Sequence, residues 1–163
     1  MEDNKPYAMD IIATVSVDCV IFGYRENELT VLIRKEQVPI QGELIEEWKL
    51  PGNHMRRDEC IGETAVRILK EQTGLENIFV KQFKVFSSLD RLTRRPQDYE
   101  WVKPRLLDER VITVGFYSLI NVDSVDNSNL IDDAKWENVY IPIDLMFDHR
   151  EILDEALLKL RSD

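Results

Sequence analysis

The sequence predicts an α/β domain built on a mixed β-sheet flanked by helices. Two observations lead there: apolar, β-branched runs recur along the chain, and two amphipathic helical patterns separate and then close them. The order is strands, helix, strands, helix, with no internal repeat and no low-complexity tract. A length of 163 residues suggests one domain with enough chain to bury a real core. Residues 1–10 read as a leader, and 11–163 as the domain.

The first run, "IIATVSVDCVIFGY" (11–24), is rich in β-branched and aromatic residues and reads as a strand. "RENE" then makes a polar turn into a second strand, "LTVLIRK" (29–35), giving a hairpin. "VPIQGELIEE" is expected to be a loop leading into "WKLPGN" (48–53), where Pro51 and Gly52 break regular structure. A helix is predicted near 60–73, with Gly74 placed where a C-terminal cap belongs. Further strands are expected at 78–89, 110–120 and 134–143. "HREILDEALLKLR" (149–161) is an amphipathic helix opening on a cap at Asp148.

The composition, 44% hydrophobic and 32% charged, is that of an ordinary water-soluble domain. No apolar run approaches the ~20 residues that span a bilayer, and "MEDNKPYAMD" lacks the regions of a signal peptide. A cytoplasmic location without membrane contact is expected. Cys19 and Cys60 are expected to be buried free thiols rather than a disulfide. Acidic residues outnumber basic ones by 31 to 21, for a net charge of −10. Proteins that neutralise DNA phosphates show the opposite balance or a marked basic patch. The chain is therefore not expected to grip DNA by itself, while one positive pocket for an anionic small ligand stays compatible with an acidic surface.

The helix near 60–73 carries the most specific information. By periodicity alone, Ile61, Ala65, Ile68 and Leu69 form a buried stripe, with Arg67, Lys70, Glu71 and Gln72 on the solvated side. The stretch from "LPGN" to "RILKEQTGL" also resembles the signature of the Nudix family, G-x5-E-x7-R-E-U-x-E-E-x-G-U, where U is aliphatic. Aligned on Gly74, the matching positions are Glu59, Arg67, Leu69, Glu71, Gly74 and Leu75, and the departures are Asn53, Ile68 and Gln72. The resemblance implies the Nudix α/β/α sandwich. Nudix enzymes hydrolyse nucleoside diphosphates linked to another moiety with magnesium or manganese, held by glutamates at i, i+3 and i+4. Those places here hold Ile68, Glu71 and Gln72. By resemblance, Glu71 is the remaining candidate for catalysis and, with the Gly52 carbonyl, for a weak metal site. Glu59 and Arg67 are expected to brace the loop before the helix by a salt bridge.

"LDR" (89–91), "RVITVGFYSLI" (110–120) and "MFDHREILDEAL" (146–157) are similar to the Nudix-related transcription regulators, which include ADP-ribose-sensing and sugar-responsive repressors. That resemblance implies an effector-binding, homodimeric sensor that reaches DNA only through a winged-helix domain expected downstream. The final helix has no visible stop signal, so an excised domain and a natural frayed end are both open. The sensor requires no cofactor; the alternative, a hydrolase cleaving a nucleoside-diphosphate-linked substrate, requires magnesium or manganese, with Glu100, Asp108 or Glu109 as candidate bases. By resemblance Asp90 and Arg91 point to the ligand cleft, although alone they read as a surface pair. Lys35 and Arg110 are further candidates for ligand contact. His149 is expected to be structural and His54 to lie on the surface. The segment 92–109 is longer than a tight connection needs. Its Tyr99 and Trp101, beside Arg94, Arg95, Lys103 and Arg105, suggest a lid or dimer contact first and a flexible insertion second.

Overall fold

The computed structural model describes residues 14–103 and 110–163. Seven strands form one mixed sheet: β1 (Val15–Arg25), β2 (Glu28–Ile40), β3 (Glu43–Lys49), β4 (Gly52–His54), β5 (Lys81–Phe86), β6 (Ile112–Asn121) and β7 (Ala134–Asn138). Among the described residues three α-helices accompany them: α1 (Ile61–Thr73), α2 (Pro96–Val102) and α3 (His149–Ser162). The strand order is β3-β2-β1-β6-β5, with β4 also pairing β1 and β7 also pairing β2. The central β1–β6 pair is parallel and the other pairs are antiparallel.

β1 is buried on both faces, which is why its sequence is nearly continuously apolar. Alternate side chains serve different layers. Val17, Cys19 and Ile21 join Ala65, Ile68 and Leu69 of α1, whereas Val20 and Phe22 join Ile152, Leu153 and Ala156 of α3. Asp18 shares the α3-facing parity and is 4% exposed, so the strand carries one acid into the interior. That single polar insertion organises the site described below.

α1 begins at Cys60, whose N–H is accepted by the Glu63 carboxylate at 2.8 Å, and ends at Gly74 in a left-handed conformation with φ of 82°. A Cβ at Gly74 would lie 1.8 Å from the Asn129 carbonyl oxygen, so the cap needs glycine on steric grounds as well.

Several expectations are corrected. The presumed loop at 38–47 is the far end of a long hairpin. β2 runs on to Ile40 and turns at Gln41 and Gly42, with φ of 50° and 83°, the double positive pattern of a tight hairpin turn. Pro39 is tolerated there because it is exposed and lies opposite Leu44. Pro96–Val102 of the presumed long loop is a helix, and residues 104–109, with Arg105, Asp108 and Glu109, lie outside the described residues. Residues 11–13 of the first predicted strand also lie outside them. β5 is shorter than 78–89 because only 81–86 find partners on β6; the Ser87 and Ser88 carbonyls accept instead from Arg110. β7 stops at Asn138, whose side chain accepts from the Tyr140 N–H at 2.8 Å and turns the chain. Cys19 is buried, but Cys60 is exposed at the head of α1.

Candidate functional site: a buried charge network beside an altered helix

The solvated side predicted for α1 is only partly solvated. Gln72 is 7% exposed, and its amide reads the Gly52 peptide from both ends: Oε1 accepts from the Gly52 N–H at 3.0 Å, and Nε2 donates to the Gly52 carbonyl at 2.8 Å. This reciprocal pair requires a neutral amide, because a carboxylate has no donor for the carbonyl. Arg67 is also largely covered. It donates to Glu59 at 2.6 and 2.8 Å, to the His54 carbonyl at 2.8 Å and to Glu71 at 3.2 Å. The Arg67 guanidinium lowers the Glu59 pKa to about 2 from its ordinary 4.5. Glu71 is exposed and also approaches Arg56 at 3.4 Å, while Ile68 is fully buried in the α1-facing core.

These residues do not fit a divalent-cation seat. Hard cations need several free oxygens. Here the Gly52 carbonyl is engaged by an amide, Glu71 faces two guanidinium groups, and Ile68 has no oxygen to offer. Among the described residues, no group of three His, Cys, Asp or Glu side chains is placed to hold a metal ion.

Gly52 also lines a cavity of about 340 Å³, together with Ser16, Asp18, Lys49, Asn53, His54, Arg91, Leu92, Trp101, Val102, Val111, Phe147 and His149. Gly52 is indispensable to its floor, since a Cβ there would sit 1.9 Å from Asp18 Oδ1. Asp18 Oδ2 accepts from Thr113 Oγ1 at 2.7 Å and from Arg91 at 3.4 Å. Arg91 also makes a two-pronged pair with Asp148, both contacts at 3.0 Å, and donates to the Val111 carbonyl at 3.3 Å. Burial alone would raise the Asp18 pKa; His149, Arg91 and Thr113 outweigh it and hold the carboxyl well below the usual range. Burial, opposed by Glu36, pulls the Lys49 ammonium below its ordinary value.

His149 is fixed at both nitrogens. Nδ1 accepts from the Leu50 N–H at 3.0 Å, which places the remaining proton of the neutral ring on Nε2, 3.3 Å from Asp18 Oδ1. Asp148 occupies the cap position of α3, but its carboxylate makes no cap bond and turns to Arg91, which corrects the predicted capping role.

The facing wall is apolar: Leu92, Val102 and Val111 cluster with Trp101 and Phe147. Phe147 meets Trp101 and His149 edge to face at centroid distances of 5.6 and 5.5 Å. A polar wall of fixed charges opposite an aromatic wall suits a small ligand that joins a planar or apolar part to polar groups.

Of the sequence candidates, Gly52, Asn53 and Arg91 come together in the cavity, with His54 at its margin. Asp90 does not: it is exposed and pairs with Arg94 at 3.4 Å. Lys35 pairs with Glu46 and Asp133, Arg110 binds the 87–88 carbonyls, and neither lines the cavity. Glu100 is exposed on α2. Asp18, Asp148 and Asp98 were missed by sequence reasoning. An acid inside the run "VSVDCVIF" was the available signal for Asp18, because a buried charge demands a partner.

Comparisons with known proteins agree with this frame. The ADPR responsive transcriptional repressor NtrR of Acinetobacter baylyi is 24% identical over 154 residues, which is 91% of this chain and 54% of the repressor. The chain thus spans about half the length of that relative. The NUDIX domain of Shewanella oneidensis NrtR, solved with ADP ribose, matches with a TM-score of 0.69 at 21% identity, over 96% of this chain and 94% of that one. A mutT/nudix family protein from Listeria innocua has the same TM-score at 20% identity, over 93% and 96%. At such identities the solved structures speak for the shared fold. Residues 13–157 match the NUDIX domain, the mixed sheet between α1 and α3 is the sandwich expected of it, and the chain belongs to the Nudix family.

Proposed function

We propose that this chain is the effector-binding domain of a transcription regulator, taking ADP-ribose or a related nucleotide-sugar in the cavity beside α1 without cleaving it. One observation carries the reading. The side chain that a metal-dependent hydrolase would use as a ligand is here an amide locked onto the Gly52 peptide, while an amphipathic cavity stays open alongside. The likeness to an ADP-ribose-responsive repressor supports the same choice of ligand. With a net charge of −10, DNA contact is assigned to a separate domain, and the sensor is taken to act as a homodimer with no cofactor. No helix among the described residues is long and apolar enough to cross a membrane; the cytoplasm follows from the regulator reading as the proposed working location.

A thermal-shift series with ADP-ribose, NAD and pentoses tests the ligand. Saturation at about 100 times Kd adds about 2.7 kcal/mol, a rise of several degrees in Tm. Silence across the series removes the ligand assignment. Incubation with ADP-ribose and magnesium or manganese tests the chemistry: no AMP is expected, and metal-dependent AMP release replaces the sensor by the hydrolase. Restoring both acids with Ile68→Glu and Gln72→Glu is expected to raise magnesium affinity; unchanged binding refutes the assignment of those positions to the cation seat.

A further inference from the structure

Phe147 adopts φ of 56°. A bulky side chain in that region is an outlier, and such conformations persist where surrounding contacts dictate them, frequently at ligand sites. The contact here is specific. The Phe147 N–H donates to Asp98 Oδ2 at 3.0 Å, and Asp98 is completely buried in α2. Arg95 holds that carboxylate with two bonds of 2.7 and 2.8 Å, and reaches Glu47 of β3 at 3.3 Å and Asp144 at 3.0 Å. One acid thus ties the first turn of α2, the β3 edge and the approach to α3 to a single backbone N–H. The ring behind that N–H stands in the cavity wall, and neither Trp101 nor His149 stacks face to face on it, the interplanar angles being 62° and 63°.

An acid needed only to neutralise Arg95 would have no reason to hold an outlying backbone. We infer that Phe147 is the stacking surface for the planar ring of the cavity's ligand, and that Asp98 is the residue that positions it. The inference rests on reading the cavity as an effector site and adds the part of the ligand recognised there, an aromatic base rather than a sugar or phosphate. Ring stacking discriminates for flat π-systems whatever their hydrogen-bonding edges.

The test uses the whole chain with Asp98→Ala, Asp98→Asn and Phe147→Leu, reading ADP-ribose affinity by calorimetry and the 147 backbone by crystallography. Asp98→Ala is expected to return φ at 147 to negative values and to weaken ADP-ribose about tenfold. Asp98→Asn keeps an acceptor oxygen for the N–H and is expected to stay within about threefold of wild type, a rescue that general loss of packing would not give. Phe147→Leu forfeits two edge-to-face ring contacts, so a fall of a few degrees in Tm is expected, and the folded variant is expected to lose about tenfold in affinity. Retention of positive φ in Asp98→Ala, or wild-type affinity in Phe147→Leu, overturns the proposal. Should Asp98→Ala fail to fold, Phe147→Leu decides by itself. If wild type does not bind ADP-ribose, the ligand assignment falls, while the backbone at 147 in Asp98→Ala still decides the positioning role.

Discussion

Replacing Arg91 by methionine removes the guanidinium that bridges Asp18 and Asp148 while keeping most of the side-chain volume. Arg91, Asp18 and Asp148 have side chains only 3%, 5% and 2% exposed. Without the arginine, two carboxylates remain in a low-dielectric interior, Asp18 with His149 and Thr113 beside it and Asp148 stripped of its two-pronged partner. Breaking a buried pair in this way costs about 3–5 kcal/mol. A chain of this length has an unfolding entropy of roughly 0.34 kcal/mol/K at its midpoint, at about 2.1 cal/mol/K per residue. The expected fall in Tm is therefore about 9–15 °C at pH 7, measured by calorimetry. Stranded carboxyls have raised pKa values, so the folded variant binds protons more readily than the unfolded chain, and the deficit shrinks on acidification toward about pH 4. Adding Asp148→Asn to the variant is expected to recover part of the loss. A fall below about 3 °C, or a deficit that grows on acidification, refutes the assignment of Arg91 as the counterion of this interior.

Gln72→Leu leaves the Gly52 N–H and carbonyl buried without their partners and is expected to destabilise by about 2–4 kcal/mol in urea titrations. Gly74→Ala places a methyl 1.8 Å from the Asn129 carbonyl at a positive φ, and is expected to cost more than the ~1 kcal/mol of an ordinary glycine cap. Glu59 has its folded pKa lowered from 4.5 to about 2, so the unfolded chain binds its proton more tightly. Its contribution is full above about pH 4.5 and is lost as pH falls through about 2, and Glu59→Gln is expected to flatten that part of the urea-midpoint profile.

The strands at the centre of the sheet were legible because residues buried on both faces leave an unbroken apolar run, as β1 does. The α1 frame was legible because a glycine cap and a buried stripe sit at fixed spacing. The β3 arm was not, since a half-exposed hairpin carrying Pro39 and the acids Glu46 and Glu47 has the composition of a loop. α2 was not, because seven residues cover only two turns and give no periodicity. Arg91 was reached through resemblance, but its neighbour Asp90 points outward to Arg94, and no local rule separates the two. Asp18 and Asp148 stayed hidden because their partners lie far along the chain, and Asp98 because its pair with nearby Arg95 does not display its bond to the Phe147 backbone N–H.

The parallel pairing of β1 with β6 also sets an order of assembly. Asp18 meets Thr113 across 95 residues of chain, and Leu50 meets His149 across 99. A ribosome-bound chain ending before residue 148 would hold Asp18 and Arg91 without the acid and imidazole that complete them. Long-range closures of this kind slow the search for the native state. The buried network therefore cannot close until the segment carrying Asp148 and His149 has reached Arg91 and Leu50.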